Sequence, residues 1–292
     1  MTLRIATIGR NGQVAQALAA AAVGQSTITL EQAASSEANL RDHDSLSRFL
    51  DRSAPDVLIN AGAYNFVDRA ETDSESAFAI NEAGPRFLAA LCARRGIPFV
   101  HMSTDCVFDG TKVEPYDEDD APNPLSVYGR SKLAGERAVA EANPDALTVR
   151  VCWVFSGFAN NFVSKVISLA RERPVVGMVD DQVGPPTYAP DIANALLRLA
   201  SAPRHLPPLL HLAAPDEMDR VTMARAIMAE SHRQGGPAAV IEPISSADFA
   251  APAKRPLNAR LSGALATQMF ALHWTPWPEA LEHSVAAVLS RK

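Results

Sequence analysis

The sequence contains few of the residues that build disulfide frameworks or metal centres. Its three cysteines, Cys92, Cys106 and Cys152, are an odd number and include no C-x-x-C pair. Seven histidines occur without H-E-x-x-H or comparable ligand spacing. These absences exclude a disulfide-stapled secreted domain and a zinc site of recognisable spacing. The sequence therefore predicts free thiols in a reducing compartment, which indicates the cytoplasm, and no bound metal.

Long apolar runs and basic runs are also missing. No stretch of about 18 apolar residues could span a bilayer, and the apolar segment near the N-terminus is too short for a signal-peptide core. The 27 Lys and Arg are outnumbered by 33 Asp and Glu, so the net charge is −6. This balance argues against nucleic acid or a membrane as the partner. The sequence therefore predicts a small-molecule site.

What is present is a regular alternation of β-branched runs with helical patterns. Strands are predicted at residues 4–8, 26–31, 56–61, 98–102 and 147–155, and helices at residues 13–23, 44–52, 74–95 and 127–142. Strands that alternate with helices form parallel sheets covered on both faces. The sequence therefore predicts an α/β fold with a doubly wound, Rossmann-like parallel sheet.

A glycine-containing loop follows the first predicted strand and opens the first helix. Gly9 permits a tight turn, Gly12 lets the backbone approach a pyrophosphate, and the helix N-terminus offers free N–H groups to negative charge. A simple strand-to-helix turn would use the same two glycines. The position of the loop nevertheless favours a dinucleotide that contacts Gly9, Asn11, Gly12, Gln13 and Val14.

The second predicted strand ends at Glu31, where a carboxylate can accept hydrogen bonds from an adenosine ribose. A negative charge there would repel a 2′-phosphate and favours NADH. A solvated carboxylate is the alternative, and Arg41 could still bind a phosphate. The expected cofactor is therefore NADPH or NADH.

Tyr128 and Lys132 lie four residues apart, which places them on one face of the predicted helix. A phenol titrates near pH 10, too high for easy proton exchange at neutral pH, and a nearby ammonium would lower that pKa. A surface aromatic–lysine pair is the alternative. The fourth strand supports a catalytic role because it ends in Ser103-Thr104-Asp105, which brings a hydroxyl to the carboxyl edge of the sheet.

These residues resemble the extended short-chain dehydrogenase/reductase family. The motifs that carry the resemblance are spread over nearly the whole chain: Gly9-x-x-Gly12-Gln13-Val14, Asn60-Ala61-Gly62-Ala63-Tyr64, Val67-Asp68-x-Ala70-Glu71, Ser103-Thr104-Asp105-x-Val107-Phe108-Asp109-Gly110, Tyr128-Gly129-x-x-Lys132-Leu133-Ala134-Gly135-Glu136, Trp153-Val154-Phe155, Asn160-Asn161-Phe162, Asp181-Gln182-x-Gly184-x-Pro186-Thr187 and Arg255-Pro256-x-Asn258-x-Arg260-Leu261.

The resemblance implies a role for each matching residue. Tyr128 would be the general acid, Lys132 would lower its pKa and hold the nicotinamide ribose, and Thr104 with Ser103 would bond the substrate carbonyl. Asp105 and Trp153 would face a deoxysugar. The remaining cofactor contacts would come from Ala61, Ala63, Tyr64 and Asn65 after the third strand and from Asn39 and Leu40 around the adenine.

The resemblance also implies an activity, NAD(P)H-dependent reduction of the C4 keto group of dTDP-4-dehydro-β-L-rhamnose to dTDP-β-L-rhamnose. Two alternatives stay open: a reductase of another nucleotide-linked 4-keto-6-deoxy sugar, and a non-catalytic, dinucleotide-binding regulatory subunit. Residues 1–150 would form the dinucleotide-binding domain and residues 151–292 mainly a substrate-binding lobe. Segments at about 174–203 and 240–262 would return to the first domain.

Departures from the family pattern concern assembly and one thiol. Some relatives join subunits through magnesium bound by carboxylates near the first helix and the C-terminus. Ala15 and the basic end Arg291-Lys292 offer no such ligands, so a monomer or weak homodimer is expected. Cys106 lies beside the predicted active site, where a packed neutral thiol is favoured over a reactive one.

Overall fold

The computed structural model describes residues 2–202 and 206–291. In this part of the chain the strands are β1 Leu3–Ile8, β2 Ile28–Ala33, β3 Val57–Asn60, β4 Phe99–Thr104, β5 Leu147–Val151, β6 Val154–Phe155, β7 Val175–Val179, β8 Val183–Gly184, β9 Thr187–Tyr188, β10 Leu209–Leu212, β11 Met218–Asp219 and β12 Val240–Ile244. The helices are α1 Gln13–Ala22, α2 His43–Ser53, α3 Val67–Ala70, α4 Ser74–Phe78, α5 Gly84–Arg95, α6 Val127–Ala142, α7 Phe162–Glu172, α8 Ala189–Ala200, α9 Arg220–Arg233, α10 Ala264–Phe270 and α11 Trp277–Leu289.

Six strands form a parallel sheet in the order β10-β5-β4-β3-β1-β2. The chain leaves β1 toward β2 on one side and continues through β3, β4 and β5 on the other, so the strand order reverses between β1 and β3. Ligands of doubly wound sheets bind at the carboxyl ends of the strands beside such a reversal. The predicted fold class is confirmed, and the loops that follow β1, β3 and β4 share this edge.

Helices cover both faces of the sheet. On one face α1 and α8 bury Leu18 and Leu196 against Ile59, and on the other α2 and α5 bury Phe49 and Leu88. Successive side chains of a strand point to opposite faces, so a strand covered on both sides is apolar at nearly every position. This explains why β3, with all four residues buried, contains the continuous apolar run Val57-Leu58-Ile59.

Two predicted elements are interrupted in the structure. The helix predicted at 74–95 contains a π turn around Asn81, whose side chain accepts from the Tyr64 N–H at 2.8 Å and donates to the Tyr64 carbonyl at 3.0 Å. The strand predicted at 147–155 breaks into β5 and β6 because Trp153 has a left-handed backbone with φ of 40°. Both interruptions come from long-range contacts or backbone strain that periodicity does not register.

A second cluster of elements lies outside the main sheet. β7 and β12 pair in parallel with each other, and α7, α9 and α11 pack around them through Val166, Ile227 and Val285. By contrast, α8 packs on α1 in the main core. The division at residue 150 stays a prediction. None of the helices in the described ranges has the length and apolar character that crossing a bilayer would require.

Candidate active site

The loop between β1 and α1 has the geometry of a phosphate cradle. Gly9 has φ of +100°, and a Cβ added there would lie 3.1 Å from the Gly62 nitrogen. Both the backbone conformation and this close approach disfavour a side chain at Gly9. Gly12 is the N-cap of α1, with no side-chain cap, and a Cβ there would meet nothing within 4 Å. The first N–H groups of α1 are therefore left to bind a ligand, and there is open space above them.

Gln13 and Val14, the next two residues of the loop motif, have side chains that are fixed by contacts within the protein. The Gln13 side chain donates to the Val154 carbonyl at 3.1 Å and accepts from the Ser156 hydroxyl at 2.8 Å. The Val14 side chain is buried in the core. Either residue could contact a dinucleotide through its backbone N–H, while exposed Asn11 and Gly12 form the open part of the loop.

Glu31, the acid predicted to meet the adenosine ribose, pairs with an arginine of α2. β2 continues to Ala33, so Glu31 sits two residues before the strand end, and its carboxylate lies 3.4 Å from Arg52 Nε. Beyond β2, Glu37 pairs with Arg10 of the glycine loop at 3.0 Å. The contact of Glu31 with the adenosine ribose, and the argument for NADH drawn from it, stay predictions.

Residues predicted near the adenine and nicotinamide line the neighbouring strand ends. Asn39 accepts from the Arg41 N–H at 2.9 Å, and the buried Leu40 packs close to Gly84. Ala61 continues from β3 and donates to the Ile8 carbonyl at 3.0 Å. A Cβ on Gly62 would lie 3.3 Å from Leu40 Cδ1, so the loop after β2 also meets the turn after β3.

After β3, exposure alternates along the chain. Ala63 and Asn65 are exposed, whereas Tyr64 is buried and its phenol donates to Asp73 at 2.9 Å. Burial, followed by the contact with Asp73, raises the pKa of Tyr64. Tyr64 thus positions this turn through its side chain, while Ala63 and Asn65 are available to a ligand.

Helix α6 presents the predicted catalytic pair. Ser126 caps the helix by accepting from the Gly129 N–H at 3.1 Å. One turn along, the buried Lys132 donates from Nζ to the Met102 carbonyl at 2.7 Å, and burial lowers its pKa to about 8. A Cβ on Gly129 would lie 2.2 Å from the Cys106 carbonyl oxygen. Glycine is therefore required for α6 to approach the turn that follows β4.

The phenol of Tyr128 is held in its protonated form. Burial raises the pKa of Tyr128, the neighbouring Cys106 adds to the rise, and a hydrogen bond with Thr104 opposes it. Desolvation is the largest effect on this pKa, and the lowering by Lys132 stays a prediction. A phenol that keeps its proton is the form that a general acid needs.

The two hydroxyls at the end of β4 face different surroundings. Thr104 Oγ1 donates to Asp105 at 2.9 Å and accepts from the Cys106 N–H at 3.2 Å, beside Tyr128. Ser103 Oγ is fully buried without a hydrogen-bond partner in the described part of the chain. Adjacent strand residues point to opposite faces, so Thr104, beside Tyr128, and Ser103 lie on different sides of β4. The contact of Ser103 with the substrate carbonyl stays a prediction.

Asp105 and Cys106 complete the turn after β4. Burial raises the pKa of Asp105, although the Thr104 hydrogen bond acts in the opposite direction. Burial also raises the pKa of the Cys106 thiol, followed by the effect of the Asp105 charge. A neutral, packed thiol fits these surroundings better than a reactive thiolate.

A cavity of about 480 Å³ opens beside this catalytic edge. Its apolar wall includes Phe162, Leu169, Met178, Val179 and Phe249, and its cationic groups are Lys165, Arg220, Lys254 and Arg255. No carboxylate belongs to the lining among the residues that the structure describes. Such a cavity suits a ligand with one planar apolar part and a strongly anionic part.

Comparison with known proteins gives a consistent family assignment. The model of the family described as RmlD substrate binding domain matches residues 3–290. A dTDP-4-dehydrorhamnose reductase from Sinorhizobium fredii is 36% identical over 300 aligned residues, covering 98% of each chain. The enzyme of the same name from Mycolicibacterium smegmatis is 38% identical and covers 99% of this chain and 87% of its own.

Solved structures support the same family assignment. The dTDP-4-dehydrorhamnose reductase from Bacillus anthracis in complex with NADP superimposes with a TM-score of 0.88 at 26% identity, covering 100% of both chains. The Clostridium acetobutylicum protein of that name gives 0.89 at 28% identity, covering 98% of this chain and 100% of its own. With sequence and structure matching over nearly its whole length, this chain belongs to the RmlD substrate binding domain family.

Proposed function

We propose that this protein reduces the C4 keto group of dTDP-4-dehydro-β-L-rhamnose with NADPH or NADH and releases dTDP-β-L-rhamnose. The observation that carries the proposal is the contact of Tyr128 with Thr104 at the carboxyl end of β4, with Lys132 of the same helix bonded to Met102 of the same strand. The names of the family relatives support the same reaction.

The residues present fit a dinucleotide cofactor. The uncapped start of α1 and the open space at Gly12 suit a pyrophosphate, and the exposed Ala63 and Asn65 lie beyond the end of β3. Lys132 would hold the nicotinamide ribose. When bound, NAD(P)H supplies the hydride for C4 of the sugar.

Tyr128 completes the addition by donating its phenol proton to the C4 oxygen, so that the ketone becomes a secondary alcohol. Its raised pKa keeps that proton in place until negative charge develops on the oxygen. Thr104 hydrogen-bonds beside the phenol and helps to polarise the carbonyl. Lys132, with a pKa of about 8, is the nearby cation for the phenolate that is left.

The cavity would hold the nucleotide part of the substrate. Phe162 and Phe249 offer aromatic surface to the base, and Lys165 and Lys254 place positive charge for the diphosphate. These local cations would overcome the net charge of −6, which does not attract an anion. Cytoplasmic location belongs to the same proposal and is supported by the three free cysteines. A monomer or weak homodimer is proposed with it.

The decisive experiment supplies enzymatically generated dTDP-4-dehydrorhamnose with NADH or NADPH, follows oxidation of the cofactor and identifies the product by NMR. Cofactor oxidation with formation of the rhamnose configuration is expected. A talose product would assign the chain to a related sugar reductase. Tight dinucleotide binding without turnover of any dTDP-4-keto sugar would favour the regulatory-subunit alternative.

A further inference from the structure

Arg220 occupies an unusual position between the catalytic edge and the cavity. Its guanidinium carbon lies 3.4 Å from the ring centroid of Trp153 and 4.7 Å from that of Phe162. Gly184 approaches the indole so closely that an added Cβ would lie 2.6 Å from Trp153 Cε2. Trp153 itself has the strained backbone that divides β5 from β6. The indole is therefore held firmly, and it fixes the plane of the guanidinium.

This guanidinium is not held in an ion pair within the described residues, and Asp105 is the carboxyl on which its charge acts. Arg220 forms no ion pair within 4.0 Å in the described ranges of the chain, and its side chain contacts Met223 Sδ at 4.0 Å. Arg255, in the same cavity, is already paired with Asp68 at 2.8 Å. Burial lowers the pKa of Arg220 to about 10, so it stays cationic at neutral pH. A partly desolvated charge outside an ion pair is stabilised when an anion binds.

We infer that Arg220 binds the diphosphate of the nucleotide-sugar substrate, at the phosphoryl group nearest the sugar, and thereby sets how far the sugar reaches toward Tyr128. The inference rests on the proposed function. A stacked guanidinium keeps its N–H groups in one plane, which matches two phosphoryl oxygens.

The neighbours of Arg220 favour an anion over a sugar hydroxyl. On the cavity side Lys165 and Lys254 are cations, and no carboxylate lines the cavity among the described residues. On the catalytic side the Arg220 charge acts on Asp105 and Cys152. Arg220 and Arg255 both act on the catalytic turn, and Arg255 is already paired with Asp68. Arg220 is thus the cavity arginine that is left to meet the diphosphate where it joins the sugar.

The test measures binding of dTDP and of thymidine by calorimetry to protein saturated with NADP⁺, so that the glycine loop is occupied. Arg220→Met removes the charge and keeps the stem, and Arg220→Lys keeps the charge without the planar donors. Arg225→Met is the matched control, because Arg225 is an exposed arginine on the same helix. Thermal melting confirms that each variant is folded.

Arg220→Met should weaken dTDP binding about 10- to 100-fold, the range for a lost charge-assisted hydrogen bond, and leave thymidine binding unchanged. Arg220→Lys should lose less, and Arg225→Met nothing. Unchanged dTDP binding in folded Arg220→Met, or equal losses for dTDP and thymidine, would overturn the inference.

Turnover is recorded separately, and this keeps the inference distinct from the proposed function. Wild-type protein that does not reduce the dTDP-4-keto sugar contradicts the proposed function. If that protein still prefers dTDP to thymidine, and Arg220→Met abolishes the preference, the diphosphate contact stands.

Discussion

Arg255 and Asp68 lie 187 residues apart in the chain and form a two-point pair, with Nη2 and Nη1 at 2.8 and 3.0 Å from the two carboxylate oxygens. Asp68 belongs to α3 beside the main sheet, and Arg255 lines the cavity. The pair therefore ties the cavity wall to the domain that carries the catalytic groups.

Replacing Asp68 by Asn should raise the KM for the nucleotide sugar and lower the free energy of unfolding at neutral pH by no more than about 1 kcal/mol, because both partners are partly exposed. The guanidinium lowers the pKa of Asp68, so this stabilisation is present above the ordinary carboxyl pKa and is lost as the pH falls through the lowered value. Denaturant titrations at several pH values should show the two proteins converging in acid.

Asp56→Asn is the matched control, since Asp56 pairs with Arg4 at 2.9 Å and neither residue lines the cavity. It should leave KM unchanged. An equal change of KM in both variants would contradict a link between Asp68 and the cavity.

Tyr128→Phe should lower kcat by about 10²- to 10⁴-fold, because a positioned acid typically contributes that much. The partly buried ring would keep its packing, so the melting temperature should change little. Tyr188→Phe, in a half-buried tyrosine of the second cluster, serves as the control and should keep its activity. Retention of more than about a tenth of the turnover by Tyr128→Phe would rule out the acid role.

Lys132→Met should abolish efficient turnover and yet stabilise the fold at neutral pH. With a pKa of about 8 in the folded protein and a higher value when unfolded, wild-type Lys132 binds fewer protons in the folded state. Wild-type stability therefore rises with pH between about 8 and 10, by up to about 3 kcal/mol, and the advantage of the variant shrinks over that range. A stability difference that does not change with pH would contradict the lowered pKa.

Glu136→Gln should destabilise the protein strongly. Glu136 and Arg150 form a buried pair with contacts of 2.7 and 2.8 Å, and loss of one partner leaves the other charge buried, at about 3–5 kcal/mol. The Glu136 charge also supports the ammonium of Lys132, so the variant should lower that pKa further. Glu141 lies on the same helix, α6, and forms an exposed pair with Arg86 of α5, so Glu141→Gln should have little effect by comparison.

Gly12→Ala should fold normally and bind NAD(P)H more weakly, since the added methyl meets no protein atom but occupies the space above α1. Gly9→Ala should instead lower the melting temperature, because of the φ of +100° and the nearby Gly62. Calorimetric cofactor titration and thermal melting separate the two effects. Normal cofactor affinity in Gly12→Ala would argue against the cradle.

Local sequence signals were sufficient for the sheet, the glycine loop and the Tyr128 and Lys132 spacing. These features repeat at the period of a strand or a helix, or depend on residues a few positions apart. They can therefore be inferred from residues that are close in the sequence. The same reasoning could not separate Ser103 from Thr104, since two adjacent hydroxyls look equivalent until the strand assigns them to opposite faces.

The tertiary structure decided which charged residues pair over long distances in sequence. The pairing of Arg10 with Glu37 and of Arg255 with Asp68, and the stack of Arg220 on Trp153, join residues distant in sequence. The raised pKa of Tyr128 likewise follows from burial. Sequence by itself determined which elements form and which groups could react, because those depend on local periodicity and residue chemistry. Only the fold decided which charges are desolvated and what they face, because burial and partners are properties of the packed chain.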